Sequence, residues 1–250
     1  MSADGKTVSV VGYASLLSPA SVKETTPTMT NFRYGIVKDH CRIFRLASII
    51  NIRRGLARGQ HLATAVARPR IGVDLLVCLF DVPVVEVPGL LEREHRLRPQ
   101  CVDYEASDRP LHDDAAGTSA TSQKALMFGE YSDEEYWAER CGSSADVYHE
   151  QVGQFYSAGK LYRDDMYPVP EYVLRCCRAC LSAAHPAAFL GNLLDASFLG
   201  DGKTSLRQHL EQVLLGGKHA DEDDAVSSGW TAEELQALEA VIASAPTAPD

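Results

Sequence analysis

The alternation of apolar and polar positions changes character near residue 131. Before it, short apolar runs ended by turn or proline signals predict strands. Val8 and Val10 flank Ser9 and lead into Gly12. Residues 42–48 (RIFRLAS), 63–68 (ATAVAR) and 75–80 (LLVCLF) have the same character. The last is apolar on both faces, as a strand covered on both sides would be. Residues 102–104 and 124–129 are further candidates, and the small, polar stretch 106–122 between them predicts a mobile loop.

After residue 131 the period becomes helical. Ser132-Asp-Glu-Glu135 reads as a capping box ahead of Tyr136 and Trp137. Val147, Gln151, Val152, Phe155 and Tyr156 form a stripe that ends near Gly159. Pro170 opens the helix EYVLRCCRACLSAA, and 209–215 continue the helical pattern. The run HADEDDAVSSG reads as an acidic linker, with 218–228 expected to be mobile, and Thr231-Ala-Glu-Glu234 caps a last helix. The expected organisation is a strand-rich unit at 8–131, a helical extension at 132–217 packed on it, and an acidic linker with a terminal helix at 218–250. No internal repeat is visible.

Composition narrows the function classes. The 250-residue chain is 45% hydrophobic and 23% charged, enough for a sizeable core. Its net charge of −10 argues against nucleic acid or an anionic membrane as the main partner. No apolar run approaches the roughly 20 residues of a membrane span, and MSADGKT lacks the features of a secretory signal. Seven cysteines without a spaced framework fit a reducing, cytoplasmic location.

Cys176, Cys177 and Cys180 include a C-x₂-C pair, but no second pair completes a zinc set. With Tyr172, Val173, Leu181 and Ala184 they fall on one helical face, so they read as core residues and no metal is expected. The eight histidines form neither an H-x₃-H pair nor an HExxH motif.

The segment Val87-Pro-Gly-Leu-Leu-Glu-Arg-Glu-His-Arg-Leu-Arg-Pro99 predicts a helix between its two outer prolines. On such a helix Glu94 shares an arc with Leu90, Leu91 and Leu97, while Glu92, Arg93 and Arg96 point elsewhere. A carboxylate in an apolar stripe has a raised pKa, which prepares a general base. The plainer reading is a local ion pair of Glu94 with Arg98. The residues alone leave both open.

The turn Gly12-Tyr13-Ala14-Ser15-Leu16 after a first strand, and Leu91-Glu92-Arg93-Glu94 after the strand LLVCLFDVP, together resemble the γ-glutamylcyclotransferase-like superfamily. The likeness covers roughly residues 8–213, and YPVPEYVLRCCRACLSAA resembles the helical extension of plant-type and algal members. It implies an α+β fold, a small mixed β-barrel flanked by helices with a pocket at the barrel mouth. It also implies cleavage of a γ-glutamyl bond to 5-oxoproline, with Glu94 as general acid/base. Gly12, Tyr13, Ala14, Ser15 and Leu16 would bind substrate through backbone amides, and no metal or cofactor is needed. Two positions depart from the pattern. Ala14 stands where the motif has Gly, with a cost at positive φ, and Leu97 stands where the family often has tyrosine. Tyr104, on the next strand, is the candidate to supply that phenol.

Three function classes follow. The first is a cyclotransferase acting on a small γ-glutamyl peptide or amine, glutathione among them. The second is a non-catalytic module that binds a ligand or a protein partner on the same fold. The third, acyl transfer through Cys101, lacks a histidine partner. A homodimer stays open.

Overall fold

The computed structural model describes residues 6–106, 123–215 and 230–243. The long segments read as the 106–122 loop and the 218–228 linker lie outside them, Ala106 excepted. The most thoroughly apolar segment of the chain becomes the axis of the fold. Strand β5 (Leu75–Pro83) buries Leu75, Val77, Cys78, Leu79, Phe80 and Val82. It pairs antiparallel with β1 (Thr7–Gly12) on one side, Val10 opposite Phe80. On the other it pairs with β2 (Thr30–Val37), Gly35 opposite Val77.

From β2 the sheet continues antiparallel to β6 (Arg98–Ala106) and then β7 (Gln123–Gly129). Strand β7 returns to β1 in parallel, Val10 opposite Leu126, which closes a five-stranded barrel. Closure leaves these five strands with no free edge between them. The fold is therefore α+β, a small mixed barrel with flanking helices, as expected.

Strand β2 was absent from the predicted set. Its alternation is interrupted by Asn31 at φ 53°, by a register shift between Thr30 and Arg33, and by Gly35. That glycine lets neighbouring strands approach: a Cβ there would lie 2.6 Å from Leu79 Cδ1 and 2.7 Å from the Glu105 carbonyl oxygen.

Beyond the barrel, β4 (His61–Pro69) meets β7 at Ala67 and pairs antiparallel with β3 (His40–Ala47). The C-terminal part then adds strands of its own. Strand β8 (Tyr167–Pro168) lies along β4, and β9 (Ser197–Leu199) runs parallel to β3. The extension is thus woven into the sheet as well as packed on it.

Nine helices are named here among the described residues. Short α1 (Pro19–Lys23) and α2 (Ile49–Arg53) follow β1 and β3, and α3 (Val87–Arg93) precedes β6. The predicted capping box starts α4 (Asp133–Arg140): the Ser132 hydroxyl accepts from the Glu135 amide and the Glu135 carboxylate accepts from the Ser132 amide. The predicted stripe after it is not one continuous α-helix. Helix α5 (Ala145–Tyr148) passes into a π turn at His149–Gly153.

Pro170 opens α6 (Pro170–Leu181), whose core face includes Val173, Cys176, Cys177 and Cys180. Helix α7 (Pro186–Asp195) packs between α6 and β5, and α8 (Leu206–Leu215) follows β9. The last helix, α9 (Ala232–Ala243), is capped by Thr231 and Glu234. It docks through buried Leu238 and Ile242 and a 2.6 Å ion pair between Arg178 and Glu234. Among the described residues no helix is long and apolar enough to cross a membrane.

Candidate active site

Strand β1 stops at Gly12 because the chain must fold back tightly over β5. A Cβ at Gly12 would meet Cys78 Sγ at 2.7 Å and Leu16 Cβ at 2.8 Å. The Cys78 thiol donates to the Leu16 carbonyl across 3.0 Å and holds the turn from below. Tyr13 is buried, and its hydroxyl donates to the Phe128 carbonyl of β7 at 2.6 Å. Burial, with the charge of Glu94, raises its pKa and keeps the phenol neutral. Ala14 sits at φ −140°, outside the left-handed region, so the cost expected for its Cβ at positive φ does not arise.

Ser15–Leu17 then form one 3₁₀ turn, with the Leu17 amide donating to the Ala14 carbonyl at 3.0 Å. The amides of Ser15 and Leu16 belong to the first turn and have no acceptor within it.

Behind this turn lies a fully buried arginine. Arg42 Nε donates to the Tyr13 carbonyl, one terminal nitrogen to Asn192 Oδ1 at 3.1 Å, and the other to the Leu76 carbonyl at 2.9 Å. Its acceptors are carbonyl dipoles, so a positive charge stands directly behind the turn with no carboxylate paired to it among the described residues. Burial lowers its pKa, but an arginine stays charged at neutral pH.

Helix α3 is shorter than predicted. It ends at Arg93, and Glu94 is its C-cap at φ −94° and ψ 22°, donating its amide to Leu90 at 3.0 Å. The chain turns, Leu97 donates to the Glu94 carbonyl at 2.7 Å, and β6 begins at Arg98. Glu94 therefore turns inward from a helix end, not from a helical stripe shared with Leu97. Its side chain is 17% exposed.

The predicted pair with Arg98 is also replaced. Arg93 Nε lies 3.1 Å from Glu94 Oε1, while Arg98 is engaged by Glu135. Burial raises the Glu94 pKa and Arg93 opposes that rise.

Glu94 and the turn come together. Ser15, Ala65, Glu94, Leu97 and Tyr172 line both a cleft of about 170 Å³ and a smaller hollow of about 50 Å³. The smaller hollow extends to Tyr13, Ala14 and Leu16. Tyr104 is not part of this arrangement. Its buried hydroxyl donates to Gln123 and accepts from Arg33 at 2.8 Å, and it lines a separate hollow with Lys38 and His40.

A different phenol stands beside Glu94. Tyr172, in the first turn of α6, lies edge-on to Phe44 with centroids 6.2 Å apart. Burial raises its pKa, with Cys176, Tyr13 and Glu94 adding to the rise. The helical period placed Tyr172 on the same face as the cysteines, and that periodicity does not distinguish a core face from a cleft wall. The cysteines themselves are core: Cys176, Cys177 and Cys180 are fully buried, and burial pushes the Cys176 thiol up to about 12.

The sequence reading also missed Arg54, Arg96, Glu171 and Arg175, which line the larger cleft. Cleft and hollow together thus combine a carboxylate with a raised pKa, two phenols, the first turn after β1 and several arginines. Such a set can accept a proton at one point while holding an anionic group at another.

No family model matches the chain, and no curated protein matches it. Several solved structures are similar. One is a γ-glutamyl cyclotransferase specific to glutathione from yeast, 12% identical with a TM-score of 0.43, covering 74% of this chain and 95% of that one. A second, described as gamma-glutamyl cyclotransferase, is 11% identical with a TM-score of 0.37, covering 58% and 86%. An AIG2-like protein from Mus musculus is 12% identical with a TM-score of 0.30, covering 52% and 82%. The first two carry the name of the family that the sequence resembles. At such identities and scores the likeness carries no argument about activity, and that argument rests on the cleft.

Proposed function

We propose that this chain cleaves a γ-glutamyl peptide or amine and releases 5-oxoproline, with Glu94 as general acid/base. The observation that carries the reading is that Glu94 and the Tyr13–Leu16 turn line one cleft. The substrate's α-carboxylate lies on the first-turn amides, with the Arg42 charge behind them. Its α-ammonium then faces Glu94.

Glu94 takes one proton from the ammonium, and the freed amine attacks the γ-carbonyl. A bond forms between the α-nitrogen and the γ-carbon, and the γ-carbon bond to the leaving amine breaks. Glu94 returns the proton to the departing nitrogen and relays the second proton of the α-nitrogen as the adduct collapses, so 5-oxoproline keeps one N–H and the amine leaves as an ammonium ion. The substrate supplies its own nucleophile, so ring closure is intramolecular and depends chiefly on holding the glutamyl chain folded. In this scheme Tyr172, beside Glu94, takes the part the sequence reading gave to Tyr104 and orients the amine or the γ-carbonyl oxygen.

A second reading has its own observation. The 3.1 Å contact with Arg93 would also suit a Glu94 that braces a ligand-binding cleft without reacting. Incubating the protein with a panel of γ-glutamyl compounds and assaying 5-oxoproline separates the two. The enzyme reading requires release by wild type and loss of release, by roughly 10²- to 10⁴-fold, in Glu94→Gln. No release from any compound, with ligand binding retained, supports the binding module.

A further inference from the structure

We infer that the loop carrying Glu94 is held in its working position by the C-terminal half of the chain, with Tyr162 and Gln151 as positioning residues for the base. This rests on the cyclotransferase reading for what Glu94 does.

Glu94 lies where the chain has left α3 and has not yet entered β6, so only local turn bonds fix its own backbone. The next two residues are tied to distant parts of the chain. The Arg96 carbonyl accepts from the Tyr162 hydroxyl. The Arg96 guanidinium donates to the Gln151 carbonyl at 3.0 Å. The His95 ring lies against Tyr136, whose hydroxyl donates to Gln151 Oε1 at 3.1 Å. One backbone group and two side chains of the loop thus lead to two anchors, Tyr162 and Gln151.

Both anchors are themselves fixed. Tyr162 is buried, and its neighbours run along the end of β3: the Ala47 amide donates to the Leu161 carbonyl and the Arg163 amide to the Arg45 carbonyl, each at 2.8 Å. The Leu161 amide donates to Asp133, at the start of α4, at 2.6 Å. Gln151 belongs to the π turn His149–Gly153, closed by the Gln154 amide on the His149 carbonyl at 2.9 Å, and the adjacent Val152 is fully buried.

The π turn has a direct consequence for the loop. The Phe155 and Tyr156 amides both donate to the Val152 carbonyl, which leaves the Gln151 carbonyl to Arg96. A continuous α-helix would have used that carbonyl for the Phe155 amide. Turns of this kind are frequent at functional sites. Tyr162 and Gln151 line neither the cleft nor the hollow, so each acts on the base through the loop. A base displaced by about 1 Å can cost up to about 100-fold in rate, which gives a single hydroxyl on the loop carbonyl its leverage.

The test compares Tyr162→Phe with Tyr156→Phe. Tyr156 is also buried and belongs to the same half of the chain, but its hydroxyl engages Met166 and Arg163, not the loop. Two quantities are read for each variant: kcat and KM for a γ-glutamyl dipeptide, and the Glu94 midpoint from a carboxyl NMR titration assigned with Glu94→Gln. The titratable and charged groups facing Glu94 are Arg93, Tyr13 and Tyr172, and neither substitution alters them.

Tyr162→Phe should lower kcat by roughly tenfold or more with KM little changed. Its Glu94 midpoint should fall toward the free value of about 4.3 as water reaches the loosened carboxylate. Tyr156→Phe should do neither, whatever stability it loses. Gln151→Ala, which removes the acceptor of Tyr136, should act in the direction of Tyr162→Phe and serves in its place if that variant does not fold.

An unchanged kcat and midpoint in Tyr162→Phe, an effect on KM alone, or equal effects in Tyr156→Phe would each overturn the positioning role. If wild type releases no 5-oxoproline, the cyclotransferase reading fails and the midpoint decides: a fall confined to Tyr162→Phe sustains the anchoring, and no fall overturns it.

Discussion

Glu94 at the end of α3 and Tyr172 in the first turn of α6 face the same cleft, although the first belongs to the barrel half of the chain and the second to the C-terminal half. Tyr172→Phe removes only the hydroxyl beside the base and should slow 5-oxoproline release by about tenfold or more, in line with loss of one transition-state hydrogen bond. Tyr104→Phe should leave the rate unchanged and lower stability by about 1 kcal/mol, because Arg33 and Gln123 lose their shared partner. The opposite pattern, a rate effect at Tyr104 and none at Tyr172, would return the phenol's role to β6.

The raised pKa of Glu94 has a stability sign that can be measured. Its unfolded value is about 4.3, and burial holds the folded value higher. Between the two, the folded state binds more protons, so stability falls as pH rises through that window. The deficit persists at neutral pH. Glu94→Gln should therefore melt at the same temperature as wild type or above it near pH 7, the gap closing below about pH 4. A clear drop in melting temperature at neutral pH would mean that the Arg93 contact stabilises the fold more than burial of the charge costs.

The neighbouring His95 gives the opposite slope. Its ring lies against Tyr136, centroids 6.1 Å apart, and burial with Arg96 and Arg140 nearby lowers its pKa to about 4. Unfolded histidine titrates near about 6.5, so on acidification the unfolded state takes up the proton first. Stability should fall as pH drops from about 6.5 to about 4, at up to about 1.4 kcal/mol per pH unit. Denaturant unfolding of His95→Gln across that range should show a shallower acid slope; an unchanged slope would place the acid sensitivity elsewhere.

Thiol chemistry checks the core assignment of α6. Cys101 is exposed and the other six cysteines are buried. A thiol reagent should label one site in the native protein and all seven after unfolding. Native-state labelling of Cys176, Cys177 or Cys180 would contradict a packed α6–α7 interface.

Local pattern sufficed for most strands and the two capping boxes, because each depends on residues close in sequence; the pairing of turn with glutamate, about eighty residues apart, came from the family resemblance. It failed where distant contacts decide. The end of α3 at Arg93 is set by the chain entering β6 beside β2 and β7, not by Pro99. Strand β9 is short and is defined by its pairing with β3. Tyr172 and Arg175 are separated from Glu94 by much of the chain, and only the docking of α6 against the turn makes them neighbours.

Arg42 limits how far the chain can be dissected. Its charge is balanced by the Tyr13 and Leu76 carbonyls together with Asn192 of α7, and its own amide donates to Ala196, at the end of that helix. Cutting the chain after the barrel would leave a cation stranded in an apolar interior, immediately behind the turn that is to receive an anion. Breaking a buried charge from its partners typically costs about 3–5 kcal/mol. Residues beyond 131 are therefore not an appendage that can be trimmed: a shortened protein would lose the electrical support of its cleft together with Tyr172, which lines it.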